Sequence, residues 1–217
     1  YVSRILNLFP KIIKNFFLEK IKLQLKVAQN QKKKIKFYFN SCEKIIIDFK
    51  NLEMDLVEKN DLKKVCNLQR GVNKTIFKKK KIDKNSFLKK FKLKNTKNII
   101  FFCGRIHELK GAIFLSRIHK ELKNKGLSVA TVLAGENIHG SVCSRIGGKD
   151  LYILSYLQAK NISSFLNICD LFVFPSLYEV GPQVVLEAKQ CNAVCVVAPE
   201  GGGKRINNNF DGIIVKK

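Results

Sequence analysis

The residues best suited to chemistry lie in the second half of the chain. Gly104-Arg105 follow the apolar run NIIFFC, and five residues after Arg105 comes Lys110-Gly111, where an amphipathic helix begins. Backbone N–H groups at a helix N-terminus and its dipole favour negative charge, and each cation adds a charge-assisted hydrogen bond. This spacing therefore suits a phosphate, although two solvated loop cations would give the same sequence. In FPSLYEVGPQVVLEA, residues 174–188, Glu179 falls in a loop after a second apolar run. Gly181-Pro182 open a helix, Pro suiting its first turn, and Glu187 lies about a turn and a half inside. A carboxylate can accept hydrogen bonds from two neighbouring sugar hydroxyls, as the acidic residue of dinucleotide folds does with ribose. An exposed helix position is the alternative for Glu187, and its place in the apolar stretch Val184 to Ala188 argues against it. Gly201-Gly202-Gly203 follow a third apolar run, where they either let main chain approach a ligand closely or make a plain flexible turn.

These positions need a scaffold, and the surrounding pattern supplies one. Residues 98–103, 129–134, 151–154, 171–174, 193–198 and 212–215 are short apolar runs. The stretches 111–125, 162–169 and 182–191 suit helices, the first ending at Gly126. Short apolar strands separated by helices predict a parallel sheet covered on both faces. Ligands bind such sheets beyond the carboxyl ends of the strands, which is where all three candidate places fall. Upstream, 44–48 and 64–68 read as strands, 50–59 as a helix, 70–73 as a break and 74–97 as a Lys-dominated connector. Ile13, Phe17, Ile21 and Leu25 recur at i, i+4 within 11–27, a basic amphipathic helix. It either packs on another domain or lies on an anionic membrane surface. The runs Lys32–Lys34 and Lys78–Lys81 read as exposed loops or helix ends. No internal repeat is present.

Composition bounds the classes. With 46 % hydrophobic residues and 16 Phe, the chain can bury a core and is not wholly disordered. No apolar stretch approaches the ~20 residues of a spanning helix. The net charge of +24 is uneven: residues 1–98 carry 27 Lys+Arg and 8 Asp+Glu, and residues 99–217 carry 14 and 9. Of thirteen glycines only Gly71 precedes residue 99, so two structural units are expected. Such charge invites a nucleic-acid reading, yet zinc-finger spacing and aromatic ribonucleoprotein motifs are absent and Arg is scarce. The Lys excess travels with Asn and Ile, as compositional drift would, and nucleic acid is not an expected partner. Seven cysteines, an odd number without a CxxC pair, argue for a reducing cytosol rather than a disulfide framework. Cys191 and Cys195 lack a nearby His and read as small buried hydrophobes rather than a metal pair.

Gly104-Arg105…Lys110-Gly111, then FPSLYE…Glu187 with its E-x7-E spacing, then VVAPEGGG and DGIIV, resemble the C-terminal donor-binding domain of GT-B retaining glycosyltransferases. The likeness is closest to glycosyltransferase group 1, family four. CEKIIIDFKNLEMDLVEKN and RGVN-KTIF resemble the end of that family's N-terminal domain and its connector, so the similarity covers roughly 41–215. The resemblance implies an α/β, GT-B type fold, with a Rossmann-like parallel sheet. Residues 1–73 would be the remnant of an acceptor-side domain, 74–97 the connector and 98–217 a nucleotide-sugar-binding domain truncated at its end. By the same resemblance, Arg105 and Lys110 bind the donor diphosphate and stabilise the leaving nucleotide, Glu179 contacts the donor sugar and Glu187 holds the ribose hydroxyls. Main chain at Gly104, Val180 and Gly181 would face the sugar and diphosphate. The chain departs from the family at Val180-Gly181-Pro182, where a Gly-aromatic-Gly-like segment is usual, and at Asn192, where Gly is common.

The activity so implied is transfer of a hexosyl unit from a nucleotide-diphosphate sugar to a lipid or glycan acceptor, with retention and without a metal cofactor. Arg, Lys and helix N–H groups can meet the charge developing on the diphosphate. The expected setting is cytoplasmic, with peripheral membrane contact through the basic N-terminal region. None of His107, His119 or His139 matches the family's catalytic His; His107 adjoins the phosphate loop, and a surface role is its default. Tyr1 opens inside the expected first domain, so a fragment inactive by itself is expected. The alternative is a non-catalytic remnant, a basic module binding nucleic acid or membrane.

Overall fold

A computed structural model describes residues 33–34, 36–47, 59–67, 71–94, 98–177, 179 and 181–215. The helices expected over 11–27 and, apart from Lys59, over 50–59 lie outside these residues, as does Val180. The chain divides into two units, Tyr1–Gln69 and Arg70–Lys217.

In the first unit the two β-branched or apolar runs pair as parallel strands. β1 (Ile45–Ile47) runs beside β2 (Val65–Asn67), with Ile45 opposite Val65. Ile45 is buried against Phe39 and Val65, while Ile46 on the alternate face is exposed.

The second unit is built on six parallel strands: β3 (Asn98–Cys103), β4 (Val129–Ala134), β5 (Leu151–Leu154), β6 (Leu171–Phe174), β7 (Cys195–Val197) and β8 (Gly212–Ile214). Their order is β5-β4-β3-β6-β7-β8, the doubly wound arrangement in which the chain reverses direction across the sheet between β3 and β6. All six residues of β4 are buried, as a strand covered on both faces requires. Helix α2 (Ala112–Asn124) packs on β4 and on α3 (Gly140–Gly147), whereas α4 (Ala159–Ile168) packs on β3 and α5 (Gln183–Gln190) on β7. The sheet is Rossmann-like, with helices on both faces, as predicted. No described helix is long and apolar enough to cross a membrane.

Three features differ from the predicted elements. The Lys-rich stretch contains helix α1 (Lys84–Lys90), capped by Asp83, whose Oδ1 accepts the Asn85 and Ser86 N–H groups at 3.1 and 3.4 Å. Its apolar side is Phe87, Leu88 and Phe91; the two Phe rings pack on Phe165 of α4, which itself stacks on Phe101 of β3 at 4.9 Å. Lysine at the intervening positions hides this spacing in the sequence. Helix α3 was not predicted, because Gly140, Gly147 and two serines dilute its helical pattern. The Gly201–Gly203 run is ordered rather than looped: α6 (Pro199–Gly202) is a single turn leading into a 3-10 turn over Gly203–Arg205.

Candidate active site

The switch between β3 and β6 opens a crevice at the carboxyl edge of the sheet, and the loops leaving these two strands form its walls. After β3, Gly104 and Arg105 lead to Ile106, which is fully buried, and then to a 3-10 turn, Glu108–Lys110. The turn is closed by the side chain of His107, whose Nδ1 accepts the Leu109 N–H at 3.1 Å. Gly111 ends it at φ 78°, and a Cβ there would overlap the Pro175 carbonyl. Only glycine serves, since the position combines left-handed backbone with close approach of a second chain segment. The helix accordingly begins one residue later than predicted, and Lys110 belongs to the turn preceding it.

The loop after β6 is tied to this turn. Leu177 N–H donates to the Leu109 carbonyl at 3.0 Å, and Ser176 Oγ lies 3.4 Å from the same oxygen. Glu179 N–H donates to the Glu200 carbonyl at 3.0 Å, and Gly201, beside Glu200, is buried against the Ser176 main chain. Gly201 of α6 thus approaches the protein's own loop. Fixed in this way, Glu179 Oε1 accepts from Lys110 Nζ at 2.5 Å and from Ser176 Oγ at 3.2 Å.

Pro182 stands one place before α5, with a locked φ of −66°, and Gly181 and Pro182 are both buried. Glu187 projects from the second turn of α5. Among the described residues nothing donates to its carboxylate, and burial pushes its pKa above the ordinary glutamate value. The same setting pushes the thiol of Cys103 up to about 12, burial dominating and the Glu187 charge adding to it.

Arg105, Lys110, Glu179 and Glu187 line one cavity of about 290 Å³, together with Gly104, Phe174 and Gln183. A second cavity of about 330 Å³ shares Cys103, Gly104, Arg105 and Lys110 with the first and continues past Gly135 and Glu136 to Tyr156 and Leu157. The four ionisable residues singled out from the sequence are therefore brought together. The surroundings combine apolar walls with a few convergent polar groups, the usual makeup of a small-molecule site.

Glu136 and Gln183 are among the lining residues that escaped the sequence reading. Glu136 follows β4 and Gly135 at the same sheet edge, and that position was the available signal. Gln183 gave none: its Nε2 donates to the Gly71 carbonyl at 2.7 Å, and its Oε1 is buried without a partner among the described residues. The histidines take structural positions. His107 caps its turn and stacks on His139 at 4.7 Å, and His119 is buried between Thr131 Oγ1 and the Lys149 carbonyl. The seven cysteines are all free, with Cys191 and Cys195 buried.

Residues 83–217 match the family described as glycosyl transferases, group 1. A Campylobacter jejuni N,N'-diacetylbacillosaminyl-diphospho-undecaprenol alpha-1,3-N-acetylgalactosaminyltransferase is 37 % identical over 87 residues, 39 % of this chain and 23 % of that protein. The crystal structure of a Rickettsia africae glycosyltransferase superposes with a TM-score of 0.69 at 19 % identity, covering 84 % of this chain and 52 % of that one. Anabaena HepE in complex with UDP-glucose gives a TM-score of 0.63 at 17 % identity, covering 80 % and 50 %. The chain thus spans about a quarter of the length of the curated relatives it matches and about half that of these structures. With the family match extending over more than half of its residues and the GT-B sheet beneath it, the chain belongs to the group 1 glycosyl transferases.

Proposed function

We propose that this chain carries the donor-binding half of a glycosyltransferase that moves a hexosyl unit from a nucleotide-diphosphate sugar to a lipid or glycan acceptor, with retention of anomeric configuration. Arg105 and Lys110, beside main chain at Gly104, hold the diphosphate and stabilise the negative charge that grows on it as the sugar departs. In this role they and neighbouring N–H groups do the work a divalent cation would otherwise do, so the reading includes no metal cofactor. Glu179, with main chain at Val180 and Gly181, meets the donor sugar. Glu187 accepts two hydrogen bonds from the ribose hydroxyls. The protein acts at the cytoplasmic side, where its basic N-terminal region contacts the membrane surface.

The observation that carries this reading is the convergence of two cations and two carboxylates on one cavity at the strand-order switch, with Glu187 half-buried and unpartnered among the described residues. Burying a carboxylate without a partner is costly, and hydroxyls of a bound ribose would offset that cost. Donor and acceptor classes take support from relatives: HepE is solved with UDP-glucose, and the Campylobacter enzyme's name carries a diphospho-undecaprenol-linked sugar. Titrating UDP and GDP against wild type and Lys110→Ala tests the assignment. Loss of one charge-assisted contact is expected to cost about 1.5–3 kcal/mol; equal affinity of the two proteins would contradict it.

A further inference from the structure

The loop after β4 is fastened to the loop after β3 well beyond the ends of both strands. Gly104 N–H donates to the Ala134 carbonyl at 2.9 Å, Ile106 N–H to the Glu136 carbonyl at 2.8 Å and His139 N–H to the Ile106 carbonyl at 2.9 Å. Gly135 lies so close to the Gly104 carbonyl that a Cβ would collide with it. The Glu108 N–H donates to His139 Nδ1 at 3.3 Å, and the two imidazole rings stack across the junction. Arg105 and Glu136 are thus mounted on a zipped pair of loops, and Arg105 Nε donates to Glu136 Oε2 at 2.9 Å.

Both side chains are more than half exposed, 57 % and 55 %, and a lone pair of this kind adds little to folding. Its geometry has another consequence. A guanidinium has five donors in a fixed fork. Holding it through Nε leaves both Nη groups uncommitted, and the Arg105 side chain makes no other hydrogen bond among the described residues. Arg105 lines both cavities, whereas Glu136 lines only the larger.

We propose that Glu136 is a positioning residue for Arg105, fixing the guanidinium by its Nε edge so that both Nη groups are presented to the donor diphosphate. The inference rests on the assignment of Arg105 to the diphosphate made above. Its benefit is preorganisation: a long side chain held in its binding geometry loses less freedom when the ligand arrives.

Calorimetric titration of the full chain with inorganic pyrophosphate and with UDP tests it, using Glu136→Ala, Glu136→Gln, Arg105→Ala and the double variant Arg105→Ala/Glu136→Ala. Glu136→Ala is expected to weaken both probes by the same factor, about three- to tenfold, the lower range for coupled neighbours. Glu136→Gln, whose amide oxygen still accepts the Nε–H, should recover most of that loss. In the Arg105→Ala background, removing Glu136 should change nothing further. Unchanged or tighter pyrophosphate binding by Glu136→Ala would overturn the proposal, the latter marking Glu136 as a competitor for Arg105. A loss confined to UDP would overturn it too, since that outcome means direct contact with the nucleoside, as would an equal loss in the Arg105→Ala background. If Arg105→Ala itself binds pyrophosphate like wild type, the diphosphate assignment falls and the inference with it; if only Glu136→Ala is silent, the assignment stands and the inference alone fails.

Discussion

Glu179 and Glu187 face one cavity from two different elements and sit in opposite electrostatic settings. The loop carboxylate is met by Lys110 and Ser176; the helical one, eight residues on, is half-buried with no donor among the described residues and with its pKa raised by burial. A loop can fold its acid onto a cation contributed by a neighbouring loop. A helix fixes its side chain by backbone geometry, and α5 aims Glu187 at the cavity whether or not a partner waits there. The charge of Glu179 is thus met within the protein, whereas Glu187 is the carboxylate for which ribose hydroxyl donors are proposed.

The largest effect should come from abolishing the contrast. Lys110→Met deprives Glu179 of its cation and leaves it the Ser176 hydroxyl, and its partly buried setting should make this cost about 1–3 kcal/mol. Urea unfolding would measure the loss, and adding Glu179→Gln should return most of it. No destabilisation would mean that the ion pair is not holding the two loops.

Glu187→Gln should weaken UDP by about 1.5 kcal/mol while leaving the affinity for its 2′,3′-dideoxy analogue nearly unchanged. Equal losses for both ligands would remove Glu187 from the ribose.

The smallest effect is on the pH dependence of stability. Because burial raises Glu187 above its ordinary 4.5, the folded protein holds more proton than the unfolded chain between the two values. Its stability contribution is therefore complete below that window and declines as pH rises through it. Asp83, held low by its hydrogen bonds from Ser86, and Asp150, held low by Lys123, give the reverse slope at more acid pH. The wild type minus Glu187→Gln difference in denaturant midpoint, followed upward from pH 4, isolates the decline; a flat difference would contradict it.

Much of this was legible beforehand, for identifiable reasons. Parallel strands buried on both faces read as uninterrupted apolar runs, so β3 and β4 were found at their observed limits. Arg105, Lys110 and Glu179 were visible because each follows a strand or precedes a helix at one edge, and Glu187 because it is a carboxylate in an otherwise apolar helical stretch. What stayed hidden depends on contacts distant in sequence. Lys110 and Glu179 are 69 residues apart, and Gln183 reaches back 112 residues to Gly71. Helix α1 was obscured by its own lysines, since Phe87 and Phe91 find their partner on α4. The Gly201–Gly203 run left open an approach to ligand or a plain flexible turn; in the fold Gly201 packs on the Ser176 main chain and Gly202 on Val197 and Val185.

The four side chains should receive one ligand together. A crystal structure of the chain with UDP bound is the direct test. The diphosphate should lie between Arg105 and Lys110, with both ribose hydroxyls donating to Glu187. A nucleotide bound elsewhere, or one that leaves Glu187 without a donor, would contradict it.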